Sequence, residues 1–118
     1  MIDAENALGF QTLKNLNETE ADENIFISPL SISLAFGMAY NGANGTTQEA
    51  MQEALELNGM SLEQVNNGYK GLMNRLSQLD EAVQFDIANS VWYDEGFAPM
   101  IHEAFLELSL IHISEPTR

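Results

Sequence analysis

Few side chains in this 118-residue chain have the types and spacings that do chemistry. His102, with Glu103 beside it and Glu107 further on, comes nearest to a metal set. On a helix, however, Glu103 points away from its sequence neighbour, and the ligand spacings of zinc motifs are absent, so a surface histidine is expected. Glu49, Glu53 and Glu56 fall on one helical face. Paired carboxylates do acid and base work only where a pocket raises one pKa, and a solvated face is expected here. Gly42 and Gly45 lack the Lys-Ser/Thr that completes a phosphate loop. There is no cysteine, and no nucleophile stands with a base, so the chain is not read as an enzyme and no cofactor or metal is expected. Three polar side chains in apolar surroundings remain. Ser28 suits a helix N-cap, Ser31 a first helical turn, and Asn89 a buried amide that must find partners.

The elements that position these residues follow from periodicity. Ala7, Phe10, Leu13 and Leu16 recur at helical spacing over Asp3 to Asn17, predicting an amphipathic helix, and Glu18 to Glu23 is a solvated loop. Asn24 to Ile27 is a short apolar strand candidate. Ser28 then caps a helix with Pro29 at its first position, where the missing N–H costs nothing. That helix carries Leu30, Ile32, Leu34, Ala35, Phe36, Met38 and Ala39 on nearly all sides, which suits the centre of a larger body. Asn41-Gly42 is a plausible left-handed end.

Thr46 with Glu49 reads as a capping box opening a short helix that stops at Asn58-Gly59, and Ser61 with Gln64 repeats the device. The helix after Ser61 has Val65, Tyr69, Leu72, Met73, Leu76 and Leu79 on one face and Glu63, Asn67, Lys70 and Asn74 off it. At Val83 the period changes to two, giving a long strand to Tyr93 that becomes apolar on both faces. Asp94-Glu95-Gly96 turns the chain, and Pro99 opens a last helix with Ile101, Phe105 and Leu106.

Charge excludes one class of partner. The net charge is −14, so nothing could neutralise nucleic-acid phosphates. No apolar run reaches membrane-spanning length, and Met1 is not followed by a basic and then apolar leader. Asn17-Glu18-Thr19 and Asn44-Gly45-Thr46 fit the glycosylation pattern, relevant only in a secretory host. Residues Leu108 to Arg118 (LSLIHISEPTR) change character abruptly and look like a translated sequencing adaptor. They are set aside, leaving residues 1–107 as one piece of a single domain that continues beyond Glu107.

Two ordered blocks carry a family resemblance. Asn24-Ile25-Phe26-Ile27-Ser28-Pro29-Leu30-Ser31-Ile32, followed by Gly42-Ala43 and Thr46-Thr47, resembles the serpin segment running from a short strand into central helix B and on to helix C. Asp86-Ile87-Ala88-Asn89-Ser90-Val91-Trp92-Tyr93, with Gly96 beyond, resembles a strand of the main serpin sheet, sheet A. The resemblance implies an α+β fold, of which this chain supplies helices A to D, the start of helix E and one long sheet A strand, as an N-terminal fragment of a microbial member. It implies an inhibitor of serine proteases whose exposed loop is cleaved and inserts into sheet A; that loop is absent from these residues. A non-inhibitory serpin (chaperone, carrier or storage protein) would share every residue quoted, and a free-standing small helical binding domain is the other reading. The resemblance also places Ser28, Ser31 and Asn89 in the shutter, the hydrogen-bonded region beneath the opening sheet. It implies an extracellular or cell-surface location, with an intracellular one left open. Helix D would offer heparin only Lys70 and Arg75 among acids, so no heparin site is expected. The fragment, with apolar strand edges uncovered, is expected to self-associate.

Overall fold

The computed structural model describes residues 1–80, 82, 89, 90, 92, 94–103 and 105. Among the described residues four α-helices are complete, α1 (Ile2–Thr19), α2 (Pro29–Gly42), α3 (Gly45–Ala54) and α4 (Leu62–Leu76), followed by a 3-10 helix over Glu95–Met100. α2 is the hub, and α1, α3 and α4 each pack against it. Leu34 of α2, Leu57 of the α3–α4 connection and Val65 and Tyr69 of α4 are fully buried, with Met38, Tyr40 and Leu55 nearly so. Each large apolar side chain removed from water contributes about 1.5–3 kcal/mol, so these few residues hold the four helices together.

α2 is not covered all round. Ser33, Leu34, Gly37, Met38 and Tyr40 are buried, whereas Ser31, Ala35, Phe36 and Ala39 face outward. A helix this apolar on its exposed side is built for a larger body than the described residues supply.

Helix ends depart from expectation in several places. Ser28 occupies the N-cap position and Pro29 follows it, but the Ser28 side chain makes no capping bond. α2 ends at Ala43 in extended backbone (φ −79°, ψ 151°), not in a left-handed glycine. Gly42 is needed for a different reason, since a Cβ there would lie 2.9 Å from Cε2 of Phe105. The cap of α3 is Asn44, whose side chain accepts from the Gly45 N–H, so Thr46 lies inside the helix and forms no capping box. α3 stops earlier than Asn58-Gly59: the Glu56 and Leu57 N–H groups bond back to the Glu53 and Gln52 carbonyls at 3.1 and 2.8 Å, with Glu56 itself left-handed at φ 56°. This is a Schellman ending with Glu in the position glycine usually takes, and it takes Glu56 off the face of Glu49 and Glu53. The Ser61–Gln64 capping box is present with both bonds.

No strand occurs among the described residues. Asn24 to Ile27 keeps a strand's alternation, with Ile25 and Ile27 half-buried and Phe26 99% exposed, but a ladder needs a neighbouring strand and none is described. Most of the strand expected over Val83 to Tyr93 lies outside the described residues. The expected turn at Asp94-Glu95-Gly96 instead begins the 3-10 helix, with Asp94 accepting from the Gly96 N–H at 2.8 Å and Pro99 inside. Glu103 and Phe105 are helical, and the continuation through Leu106 lies outside the described residues.

Candidate functional site

The polar groups of this molecule gather where α1, α2 and α4 meet. Ser33, the one serine fully buried in α2, donates to Glu5 Oε1 of α1 at 2.6 Å. Tyr69 of α4, also fully buried, brings its phenol to the same serine. Among the described residues Glu5 Oε2 is buried and meets no hydrogen-bond partner. Burial pushes the Glu5 carboxyl above its ordinary range, against the pull of the Ser33 bond and the N-terminal charge. The Tyr69 phenol is pushed up to about 12, mainly by burial, with the Ser33 bond opposing and the Glu5 charge adding.

Two turns further along α2, Asn41 and Asn66 form a reciprocal amide pair. Asn41 Nδ2 donates to Asn66 Oδ1 at 3.0 Å, and Asn66 Nδ2 returns the bond to Asn41 Oδ1 at 2.8 Å. Asn41 Nδ2 also donates to the Gly37 carbonyl at 2.9 Å. Gly37 sits between the two polar sets, where a Cβ would meet Tyr69 Cε2 at 2.9 Å. A third polar element lies at the start of α2, where the Ser28 and Ser31 hydroxyls bond each other at 2.8 Å on an exposed surface.

Of the three residues expected to act together, Ser28 and Ser31 are joined and Asn89 is not bonded to either. Among the described residues Asn89 Nδ2 is buried with no hydrogen-bond partner, and its neighbours Ser90 and Trp92 bond each other at 2.8 Å. The polar residues at the helix junction escaped sequence reasoning, although a signal existed. Ser33, Gly37, Tyr40 and Asn41 recur at i, i+4, i+7 and i+8, so the small and polar positions of α2 share one face. Asn66, Tyr69 and Met73 repeat the pattern on α4, and an apolar-only search passes over the asparagine.

Nothing in this arrangement presents a reacting group to a substrate. His102 and Glu103 are exposed, and among the described residues no three His, Asp or Glu side chains come close enough to hold a metal. Glu107 lies outside the described residues. A groove of about 460 Å³ between α1, the start of α2 and α4 is walled by Phe10, Leu13, Ile27, Leu30 and Leu72 and is almost wholly apolar. No helix among the described residues is long and apolar enough to cross a membrane. What the helices position is a largely buried hydrogen-bonded junction around a central helix.

The chain is similar to proteins of one known family. The family described as Serpin (serine protease inhibitor) matches residues 3–112, past the boundary expected at Glu107. The chain is 34% identical over 101 residues to rat Serpin A12 and covers 24% of it with 86% of its own length. It is 32% identical over 101 residues to human neuroserpin, with the same shares of 24% and 86%. Against Iripin-8 of Ixodes ricinus it is 36% identical over 100 residues, 80% of the chain and 24% of that protein. The chain belongs to the serpin family. It spans about a quarter of the length of the curated relatives it matches.

Proposed function

We propose that these residues are the N-terminal part of an inhibitor of serine proteases, which is not itself an enzyme and which works by cleavage of an exposed loop and its insertion into sheet A. The observation that carries this reading is the family match over residues 3–112, since the name of that family states the activity. In the matched relatives about three quarters of the length lies beyond the aligned part, and the loop belongs there. The α+β fold and the sheet A strand over Val83 to Tyr93 are part of the same proposal, as are an extracellular location and a microbial source. Residues Leu108 to Arg118 are proposed to be an adaptor translation joined to a serpin piece ending at Glu107.

Ser28, Ser31 and Asn89 are proposed to serve the sheet opening. The Ser28–Ser31 bond at 2.8 Å supports a polar element at the head of α2, and the buried Asn89 amide, which meets no acceptor among the described residues, supplies a donor for the sheet region to satisfy. A group satisfied in only one arrangement of the sheet biases the equilibrium between two arrangements. The exposed Phe36 and Ala39 of α2 and the apolar groove beside α1 support self-association of the isolated chain.

The test is a gel assay with trypsin-like, chymotrypsin-like and elastase-like proteases. The complete gene product is expected to form a denaturant-resistant equimolar complex with at least one of them, and the 118-residue chain with none. A complete product that is merely cut, or untouched, moves the reading to a non-inhibitory carrier or chaperone. A denaturant-resistant complex formed by the 118-residue chain itself refutes the loop mechanism.

A further inference from the structure

The sequence holds four Asn-Gly pairs, Asn41-Gly42, Asn44-Gly45, Asn58-Gly59 and Asn67-Gly68. Glycine has no side chain to shield its nitrogen, so these are the dipeptides at which the backbone most readily attacks a side chain. The glycine amide loses its proton and its nitrogen bonds to Asn Cγ. The carboxamide nitrogen leaves as ammonia, taking up that proton, and a five-membered imide remains. Water then opens the imide at either carbonyl, to aspartate or to isoaspartate, with no oxidation or reduction and no co-reactant but water.

The fold divides the four pairs into two classes. Asn41-Gly42 lies within α2 and Asn67-Gly68 within α4, where helical dihedrals hold Asn Cγ away from the next nitrogen and the glycine N–H is committed to the helical ladder. The Asn41 amide is further held by Asn66 and the Gly37 carbonyl. Asn44 is exposed on extended backbone (φ −144°, ψ 157°) and open space surrounds Gly45, whose N–H is held only by the exposed Asn44 Oδ1 at 2.8 Å, a side-chain bond that opens without unwinding a helix. Asn58 is exposed in the turn closed by the Met60 N–H on the Leu57 carbonyl at 3.1 Å, and among the described residues nothing accepts the Gly59 N–H.

We propose that Asn44 and Asn58 are sites of spontaneous imide formation in the folded protein and that Asn41 and Asn67 are shielded. Each conversion puts a carboxylate in place of a neutral amide. At Asn58 the isoaspartyl product also adds a methylene to a turn that Gln52 Nε2 clamps through the Leu57 and Met60 carbonyls at 3.1 and 2.9 Å, beside the fully buried Leu57. Modification there loosens the joint between α3 and α4.

The 118-residue chain is incubated at mildly alkaline pH, native and in denaturant, and conversion at each asparagine is followed by peptide mapping with isoaspartate-sensitive mass spectrometry. Asn44 and Asn58 are expected to convert at nearly the same rate in both conditions, and Asn41 and Asn67 to slow by roughly tenfold or more in the native sample, the protection that local opening gives. The double variant N44S/N58Q, in which serine keeps a capping oxygen, is expected to lose most native-state ammonia release. The proposal is overturned if the native sample converts all four alike, if Asn44 and Asn58 are slowed along with the helical pair, or if the double variant releases ammonia as the parent does.

Discussion

Replacing glycine by alanine at matched helical positions gives opposite outcomes here, and the sign is worked from the packing. In a helix interior alanine is favoured over glycine by about 1 kcal/mol, so any site with room for a Cβ gains roughly that amount. Gly71 of α4 has nothing within 4 Å of the new carbon, and G71A is expected to gain the full amount. Gly37 of α2 is the contrary case, with Tyr69 Cε2, Cζ and Cδ2 at 2.9, 3.3 and 3.5 Å from the added carbon. The ring cannot swing aside, because it is fully buried and its phenol is engaged with Ser33. Overpacking of a tight core costs about 1–3 kcal/mol, so G37A nets a loss of about 1 kcal/mol and stands about 2 kcal/mol below G71A. Two further sites grade the series. At Gly68 the added carbon meets Met1 Cε, Cβ and Cγ at 2.8, 3.1 and 3.3 Å; the tip can move but the Cβ is held near the backbone, so G68A falls between G71A and G37A. At Gly9 the neighbour is the stiff Pro29 ring at 3.2 Å, and gain and loss nearly cancel. Urea unfolding followed by helix circular dichroism, at one protein concentration, ranks the four variants, and for a domain of this size each kcal/mol moves the thermal midpoint by roughly 4–8 °C. If G37A raises the midpoint as much as G71A does, the buried contact between α2 and Tyr69 is not as described, and the junction built on it fails.

Three other outcomes test the polar groups. S61A is expected to cost about 1 kcal/mol through its lost capping box, and S28A to stay within about 0.5 kcal/mol because its side chain caps nothing; equal losses in the two would refute the distinction. N41A or N66A alone breaks the reciprocal amide pair and is expected to cost about 1–3 kcal/mol, with the double variant costing clearly less than the sum; additive losses in a double-mutant cycle would contradict the pair. For Glu5, burial raises the folded pKa above the ordinary 4.5, so the carboxyl's contribution to stability is fully present below that value and is lost as pH rises through the folded pKa. E5Q is therefore expected to flatten the stability–pH curve over that window, measured by denaturation midpoints at stepped pH, and an unchanged slope would show that Glu5 is not the group responsible.

Local signals and tertiary demands separate cleanly in this chain. The helices over 2–19 and 62–76 were legible because an amphipathic period and, for the latter, the Ser61–Gln64 box are local properties. The end of α3 was not, because Glu56 takes the left-handed position only with Leu57 drawn into the core and Gln52 clamping the turn beyond it. The same holds for Gly42, read as a helix terminator from its neighbours in sequence but required by Phe105, which lies 63 positions on in the numbering and touches it only in the fold. At the candidate site the three residues chosen from the resemblance form one exposed bond and one unpartnered amide, while the buried polar set is Glu5, Ser33, Tyr69, Asn41 and Asn66. Their recurrence on one face of α2 and one face of α4 was visible. What it meant was not, since a buried serine is told from a tolerated one only by the carboxyl that another helix brings to it.

The distribution of these groups also bears on how a serpin's first quarter is built. A carboxyl whose buried oxygen meets no partner lowers stability at neutral pH, and an unpartnered amide does the same; among the described residues Glu5 Oε2 and Asn89 Nδ2 are such groups. Yet α2, which anchors the first of them, presents Phe36, Ala35 and Ala39 outward. A segment selected to stand alone would place its polar side chains on that face and its apolar ones at the junction. The apolar outward face of α2 makes sense if chain from elsewhere in a complete serpin covers it, while the mixed polar and apolar junction fixes how α1, α2 and α4 sit together. On this argument truncating Ser33 in the complete protein, S33A, disturbs the register of α1 on α2 and leaves Glu5 without its donor. Its cost is then larger in the complete protein than S31A, which removes only an exposed hydroxyl pair.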